Sequence, residues 1–101
     1  MLAYARHVGD VFAALADPTR RALLDELCVR SPQTLFELTT RLAQRHGLTP
    51  SRQAISQHLD RLQAVGLVRR RREGRYTWHE VDITPLDEFR TRWLPQKGET
   101  P

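Results

Sequence analysis

The middle of the chain carries the start and stop signals of two consecutive helices separated by a short turn. Thr34 and Glu37 have the Thr-x-x-Glu spacing of a capping box, and Gly47 ends the helix that they begin. After roughly four turn residues, Thr49 or Ser51 caps the next helix. Two helices joined by so short a turn have few ways to pack against each other. The pattern predicts a helix-turn-helix.

The second of these helices has a narrow apolar stripe and a polar, uncharged outer face. At roughly 100° per residue, Ile55, Leu59 and Leu62 share the stripe, whereas glutamine and serine point away from it. Glutamine can form a bidentate bond with adenine in the major groove, and serine can contact a base edge or a phosphate. We therefore expect this face to bind duplex DNA, with a face that simply meets water as the alternative. The residues predicted to contact DNA here are Ser51, Arg52, Gln53, Ser56, Gln57 and His58.

His58 differs from the other predicted contacts because it lies at the edge of the apolar stripe. A histidine in that position can also be a packed, hydrogen-bonded structural residue. Both roles remain open from the sequence.

A hairpin follows the two helices. Residues 67–72 and 75–81 alternate as two strands, with Glu73 and Gly74 as the tight turn between them. A hairpin placed directly after a helix-turn-helix is a wing. The sequence therefore predicts a mainly α fold with a β-hairpin wing, a winged helix-turn-helix with the order α-α-α-α-β-β-α.

The hairpin also contains the whole charge excess of the chain. The segment 69–75 holds five arginines and one glutamate, which equals the net charge of +4. Because side chains alternate along a strand, Arg70 and Arg72 share one side, and Arg75 lies near the tip. We expect these three arginines to contact DNA phosphates or the minor groove. The alternative is a solvated charge run.

The outer helices flank this unit. The first is an amphipathic helix that reaches Leu15, and the second begins at Asp17 and Pro18 and reaches about Val29. Pro85 opens the last helix, with Asp82 or Thr84 as its cap. The residues predicted to face inward are Ala22, Leu23, Leu27 and Cys28 in the second helix, and the third helix carries Leu35, Leu38, Leu42 and Ala43. Residues 1–94 are predicted to form one domain, followed by a disordered polar tail at 95–101.

The remaining composition excludes several classes of protein. The chain has no apolar run near the ~18 residues of a membrane span and no signal-peptide pattern, which favours the cytoplasm. Cys28 is the single cysteine, so an intrachain disulfide is impossible. No nucleophile elbow, phosphate loop or metal-binding helix motif is present, so we do not expect an enzyme.

Several segments together resemble the ArsR/SmtB family of transcriptional repressors. They are the first and second helices at 11–24, the recognition helix at 51–59, the wing entry at 64–68, the wing tip at 72–75 and the exit strand at 79–82. The resemblance implies a homodimer, assembled largely from the first and last helices, that binds imperfect palindromes in double-stranded DNA. The apolar residues that fit this interface are Val8, Phe12, Leu86, Phe89 and Trp93; packing within one chain is the alternative.

The resemblance also raises the question of metal sensing, which many family members perform. This chain lacks the Cys-x-Cys cluster on the third helix, and its last helix contains no histidine. We therefore expect no metal and no cofactor, and an unidentified small molecule or protein as the effector. Two alternatives to a DNA-binding repressor are a winged-helix protein-interaction module and a redox-sensing regulator that uses Cys28.

Overall fold

The computed structural model describes residues 2–94, except for the side chains of residues 2–8 and 88. Within that part of the chain there are five α-helices and three strands. They are α1 (Leu2–Leu15), α2 (Pro18–Val29), β1 (Gln33–Thr34), α3 (Leu35–His46), α4 (Arg52–Ala64), β2 (Val68–Glu73), β3 (Tyr76–Val81) and α5 (Asp87–Trp93). A short 3₁₀ helix (Thr84–Leu86) leads into α5. The predicted tail at 95–101 lies outside the described residues.

The predicted winged helix-turn-helix is confirmed, with one added strand. β2 and β3 form the antiparallel hairpin, and β1 pairs with the other edge of β3 through Gln33 opposite His79 and Thr34 opposite Trp78. The sheet order is β1-β3-β2. The sequence does not reveal β1, because two residues are too short to show an alternating pattern and their partner is distant in the chain.

Side chains from α1 to β2 form a single apolar core. The predicted stripe of α4 is confirmed, since Ile55, Leu59 and Leu62 are fully buried. They pack with fully buried side chains from the other elements, among them Val11, Leu23, Leu38, Leu42 and Leu67. The core thereby fixes which face of α4 is left for solvent.

The predicted helix caps are present and set where the helices begin. Oγ1 of Thr34 accepts from the backbone N–H of Glu37 at 3.2 Å, and the Glu37 carboxylate accepts from the N–H of Thr34 at 2.9 Å. Ser51, rather than Thr49, caps α4, because its Oγ accepts from the N–H of Ala54 at 3.1 Å. These caps fix the turn between α3 and α4.

Three local predictions are wrong. Cys28 is exposed instead of facing inward. In α2 the inward position near the C-terminus belongs to Glu26, which is buried with Leu27. The turn of the hairpin is at 74–75 rather than 73–74, because residue 73 still pairs in β2. The last helix begins at Asp87 rather than Pro85, because a 3₁₀ turn comes first. Within residues 2–94 no helix is both long and apolar enough to cross a bilayer.

Candidate nucleic-acid interface

The N-terminal half of α4 presents the polar face that its sequence predicts. Arg52, Gln53 and Gln57 are exposed, and Ser56 is half-buried. Among the described residues, neither glutamine has a side-chain hydrogen bond, so both amides are free to bind a ligand. The surface is therefore polar, open and without acidic groups in the first turn of the helix.

The arginines of the wing differ in whether they have a partner. Arg69 lies near the carboxylates of Glu80 and Asp82, at 3.5 and 3.9 Å, and Arg71 pairs with Glu73 at 3.3 Å. Arg70 reaches a carboxylate of α4 instead. The charges of these three arginines are therefore compensated by nearby carboxylates.

Two wing arginines remain without a partner. Arg72 and Arg75 are exposed, and neither has an ion pair or a hydrogen bond within residues 2–94. Arg52 at the start of α4 is in the same condition. An unpaired guanidinium can donate hydrogen bonds to a phosphate without first losing an internal ion pair.

The wing tip and the start of α4 lie beside the same groove. This groove has a volume of about 540 Å³ and is open to solvent. Its lining includes Arg52 and Ser56 from α4, Arg75 and Tyr76 from the hairpin, and Phe36 from α3. Unpaired arginines from two elements therefore converge on one surface.

His58 turns away from this surface and towards α2. Its Nδ1 lies 3.2 Å from Nη1 of Arg20 and 3.8 Å from Oδ2 of Asp17. Because a guanidinium can only donate, Nδ1 of His58 is the acceptor in this contact. The geometry thus supplies the structural role that the sequence left open, and its predicted DNA contact stays a prediction.

Arg20 extends the same contact to α1. Its Nε donates to the carbonyl of Ala14 at 2.6 Å, and Nη2 donates to that of Ala13 at 3.3 Å. Burial acts to raise the pKa of the Asp17 carboxyl, but the backbone N–H and the guanidinium charge of Arg20 hold it below its ordinary value. The end of α1, the start of α2 and the middle of α4 are thereby joined.

His79 ties the wing to the segment before α3. It is buried, and its Nδ1 lies 3.1 Å from the carbonyl oxygen of Gln33. A carbonyl only accepts, so Nδ1 carries the proton, while burial lowers the pKa of His79 and keeps the ring neutral. Gln33 is itself fully buried, and its Nε2 donates to the carbonyls of Glu26 and Arg30 at 2.9 and 2.7 Å. The wing is therefore anchored to the body of the domain.

A second surface is formed by aromatic rings from α1 and α5. Phe12 stacks on Phe89 with ring centroids 4.8 Å apart, and Phe89 stacks on Trp93 at 5.5 Å. Phe12 and Trp93 still remain about half exposed, and Leu86 packs against the core. The side chain of Val8 lies outside the described residues. The four predicted interface residues whose side chains are described thus pack within the chain, and Phe12 and Trp93 also leave an apolar surface.

Comparisons with known proteins show which family this chain belongs to. A helix-turn-helix domain family matches residues 15–71. YuzN of Bacillus subtilis strain 168, named as an uncharacterized HTH-type transcriptional regulator, is 43% identical over 84 residues, which cover 83% of this chain and 91% of YuzN. An ArsR-like transcriptional regulator from Rhodococcus sp. RHA1 is 40% identical with a TM-score of 0.69, over 90% of this chain and 79% of its own. The chain belongs to the ArsR family of transcriptional regulators.

A further solved structure has the same fold at lower identity. NolR from Sinorhizobium fredii is 27% identical with a TM-score of 0.62, over 91% of this chain and 89% of its own. The relatives are transcriptional regulators and not enzymes. This ArsR-family protein is thus a DNA-binding regulator of transcription.

Within residues 2–94, no three potential metal ligands among the histidine, cysteine and acidic side chains come together.

The ArsR-family protein also contains polar residues that the sequence does not single out. Glu26 is only 2% exposed and forms the centre of a charged cluster with Arg41, Arg45 and His46. Its spacing from Leu23 and Leu27 places Glu26 on the inward stripe of α2. That periodicity could have predicted that Glu26 is buried.

Proposed function

We propose that this ArsR-family regulator is a cytoplasmic homodimeric repressor that binds palindromic operators in double-stranded DNA. In each subunit, α4 lies in the major groove, and Gln53 and Gln57 contact base edges. Ser56 makes a supporting contact beside them, whereas His58 keeps the structural contact with Arg20. The supporting observation is that Arg52 and Ser56 of α4 line the same groove as Arg75 of the wing, and that the amides of Gln53 and Gln57 on the same helix are exposed.

The arginines of this surface bind the DNA backbone. Arg52 and the α4 N-terminus, which is capped by Ser51, contact one phosphate region. Arg72 and Arg75 contact another through the wing. Their lack of internal partners among the described residues supports this assignment.

The aromatic surface of α1 and α5 forms the dimer interface. Phe12, Phe89 and Trp93 are already stacked, so burying them against a second copy costs little side-chain entropy. Val8 and Leu86 extend the same interface. A two-fold axis through this surface presents two α4 helices to successive major grooves, ~34 Å apart. Repression follows when the bound dimer covers promoter DNA, and an unidentified effector releases it.

The phosphate contacts are tested by the salt dependence of binding. Replacing Arg72 or Arg75 with alanine is expected to weaken binding to all duplexes and to lower the slope of log affinity against log salt by about 0.9 each. The measurement is fluorescence anisotropy with a labelled random-sequence duplex of about 30 base pairs.

Arg71→Ala is the matched control for this experiment, because Arg71 lies on the same strand but is paired with Glu73. It should change the slope less than either of the other substitutions. An unchanged slope in both Arg72→Ala and Arg75→Ala would show that the wing does not touch phosphate.

A further inference from the structure

Arg70 differs from the other arginines of the wing in where its side chain goes. It lies on the same side of β2 as Arg72, two residues away. Yet the Arg70 side chain is only 25% exposed, whereas Arg72 is exposed. The difference arises because Arg70 lies against the recognition helix α4.

The guanidinium of Arg70 contacts two successive turns of α4. Its Nη1 lies 2.5 Å from Oδ1 of Asp60, and its Nη2 donates to the carbonyl of Ser56 at 3.2 Å. Its Nε is buried and has no hydrogen-bond partner among the described residues. Three of the five N–H donors of this side chain are therefore directed at the helix or buried.

The strand that carries Arg70 is anchored on its other side. Arg70 lies opposite His79 in the β2–β3 register, and Nδ1 of His79 contacts the carbonyl oxygen of Gln33. A continuous set of contacts thus runs from the middle of α4, through the hairpin, to the start of α3. Arg70 forms the end of this set that meets the recognition helix.

We propose that Arg70 is a positioning residue that clamps the wing to α4 and does not itself bind phosphate. This inference rests on the proposed DNA-binding function and deepens it, and it gives Arg70 a different role from the one that the sequence predicts. With the clamp in place, the wing tip and the polar face of α4 reach DNA at the same time. Without it, binding must order a mobile hairpin, which reduces affinity.

The first test uses the free protein and needs no DNA. In Arg70→Gln, amide hydrogen exchange in β2 and β3 is expected to accelerate about fivefold relative to amides of α4. Asp60→Asn keeps the contact with the Ser56 carbonyl and should give a smaller change in the same direction. Arg72→Gln, the same substitution at an unpaired arginine, should leave exchange unchanged.

The second test measures duplex binding over a range of salt concentrations with the same variants and a random-sequence duplex. Arg70→Gln is expected to weaken binding about tenfold while its salt slope stays that of the wild type. Arg72→Gln should lower the slope by about 0.9. This contrast separates a clamp from a phosphate contact.

Two results would overturn the clamp. One is wild-type hydrogen exchange in the wing of Arg70→Gln, and the other is a salt slope for Arg70→Gln that falls as in Arg72→Gln. Failure of the proposed function looks different, because the wild type itself would then show no salt-dependent duplex binding. In that case the exchange experiment would still decide whether Arg70 holds the wing.

Discussion

Phe12→Glu is expected to produce a folded monomer that binds a specific duplex about 10²- to 10⁴-fold more weakly than the wild type. Phe12 is 49% exposed in a single chain, so glutamate is tolerated by the fold. In the proposed dimer the same position is covered by a second copy, and an unpaired carboxylate there is strongly unfavourable. A monomer reads only one half-site and loses the gain from binding two at once. Sedimentation velocity measures the oligomeric state, and anisotropy measures the affinity.

Phe36→Glu is the matched control for oligomeric state. Phe36 is 75% exposed, but it lies on α3 beside the wing groove and makes no contact with the stacked rings. This variant should therefore remain a dimer. A Phe12→Glu variant that also remains dimeric would place the interface elsewhere.

Glu26→Gln is expected to reduce the free energy of unfolding by about 2–4 kcal/mol at neutral pH. Glu26 is 2% exposed, and its carboxylate lies 2.8 Å from Nε2 of His46, 3.1 Å from Nε of Arg45 and 3.5 Å from Nη1 of Arg41. A neutral amide leaves these basic groups without their counter-charge at the junction of α2 and α3. Urea unfolding followed by circular dichroism measures the loss.

The cost of this substitution should also depend on pH. Burial acts to raise the pKa of Glu26, but the hydrogen bond from His46 and the charge of Arg45 outweigh it and hold the pKa below its ordinary value of 4.5. The stabilisation is therefore fully present above about pH 4.5 and is lost as the pH falls through the lower folded-state pKa. Asp25→Asn, at the exposed neighbouring position, should cost little at any pH. A pH-independent difference between wild type and Glu26→Gln would contradict this account.

The parts of the fold that depend on local chemistry could be predicted from the sequence. The capping box of Thr34 and Glu37 and the positive φ of 65° at Gly47 are local features, and they place α3 correctly. β1 could not be predicted, because its pairing with β3 joins residues 33–34 to residues 78–79. Such long-range pairings leave no periodic signal in a two-residue segment.

The candidate site also contains features that the sequence predicts and features that depend on tertiary packing. The 100° step of a helix exposes Gln53 and Gln57, and the structure places both on the surface. From the sequence alone, the arginines of β2 differ only in the side of the strand on which they lie. Their separation into paired Arg70 and unpaired Arg72 depends on Asp60, which reaches the hairpin only after α4 and the sheet have packed.

Selection of duplexes from a random-sequence pool, with wild type and Gln53→Ala in parallel, measures whether a dimer reads DNA through α4. The wild type is expected to enrich an inverted repeat with half-site centres about 10 base pairs apart. Gln53→Ala should retain this spacing and lose its preference at one base pair in each half-site, at a cost of about 1–3 kcal/mol. No enrichment by the wild type, or an enriched sequence without two-fold symmetry, would contradict the proposal of a dimer that reads DNA through α4.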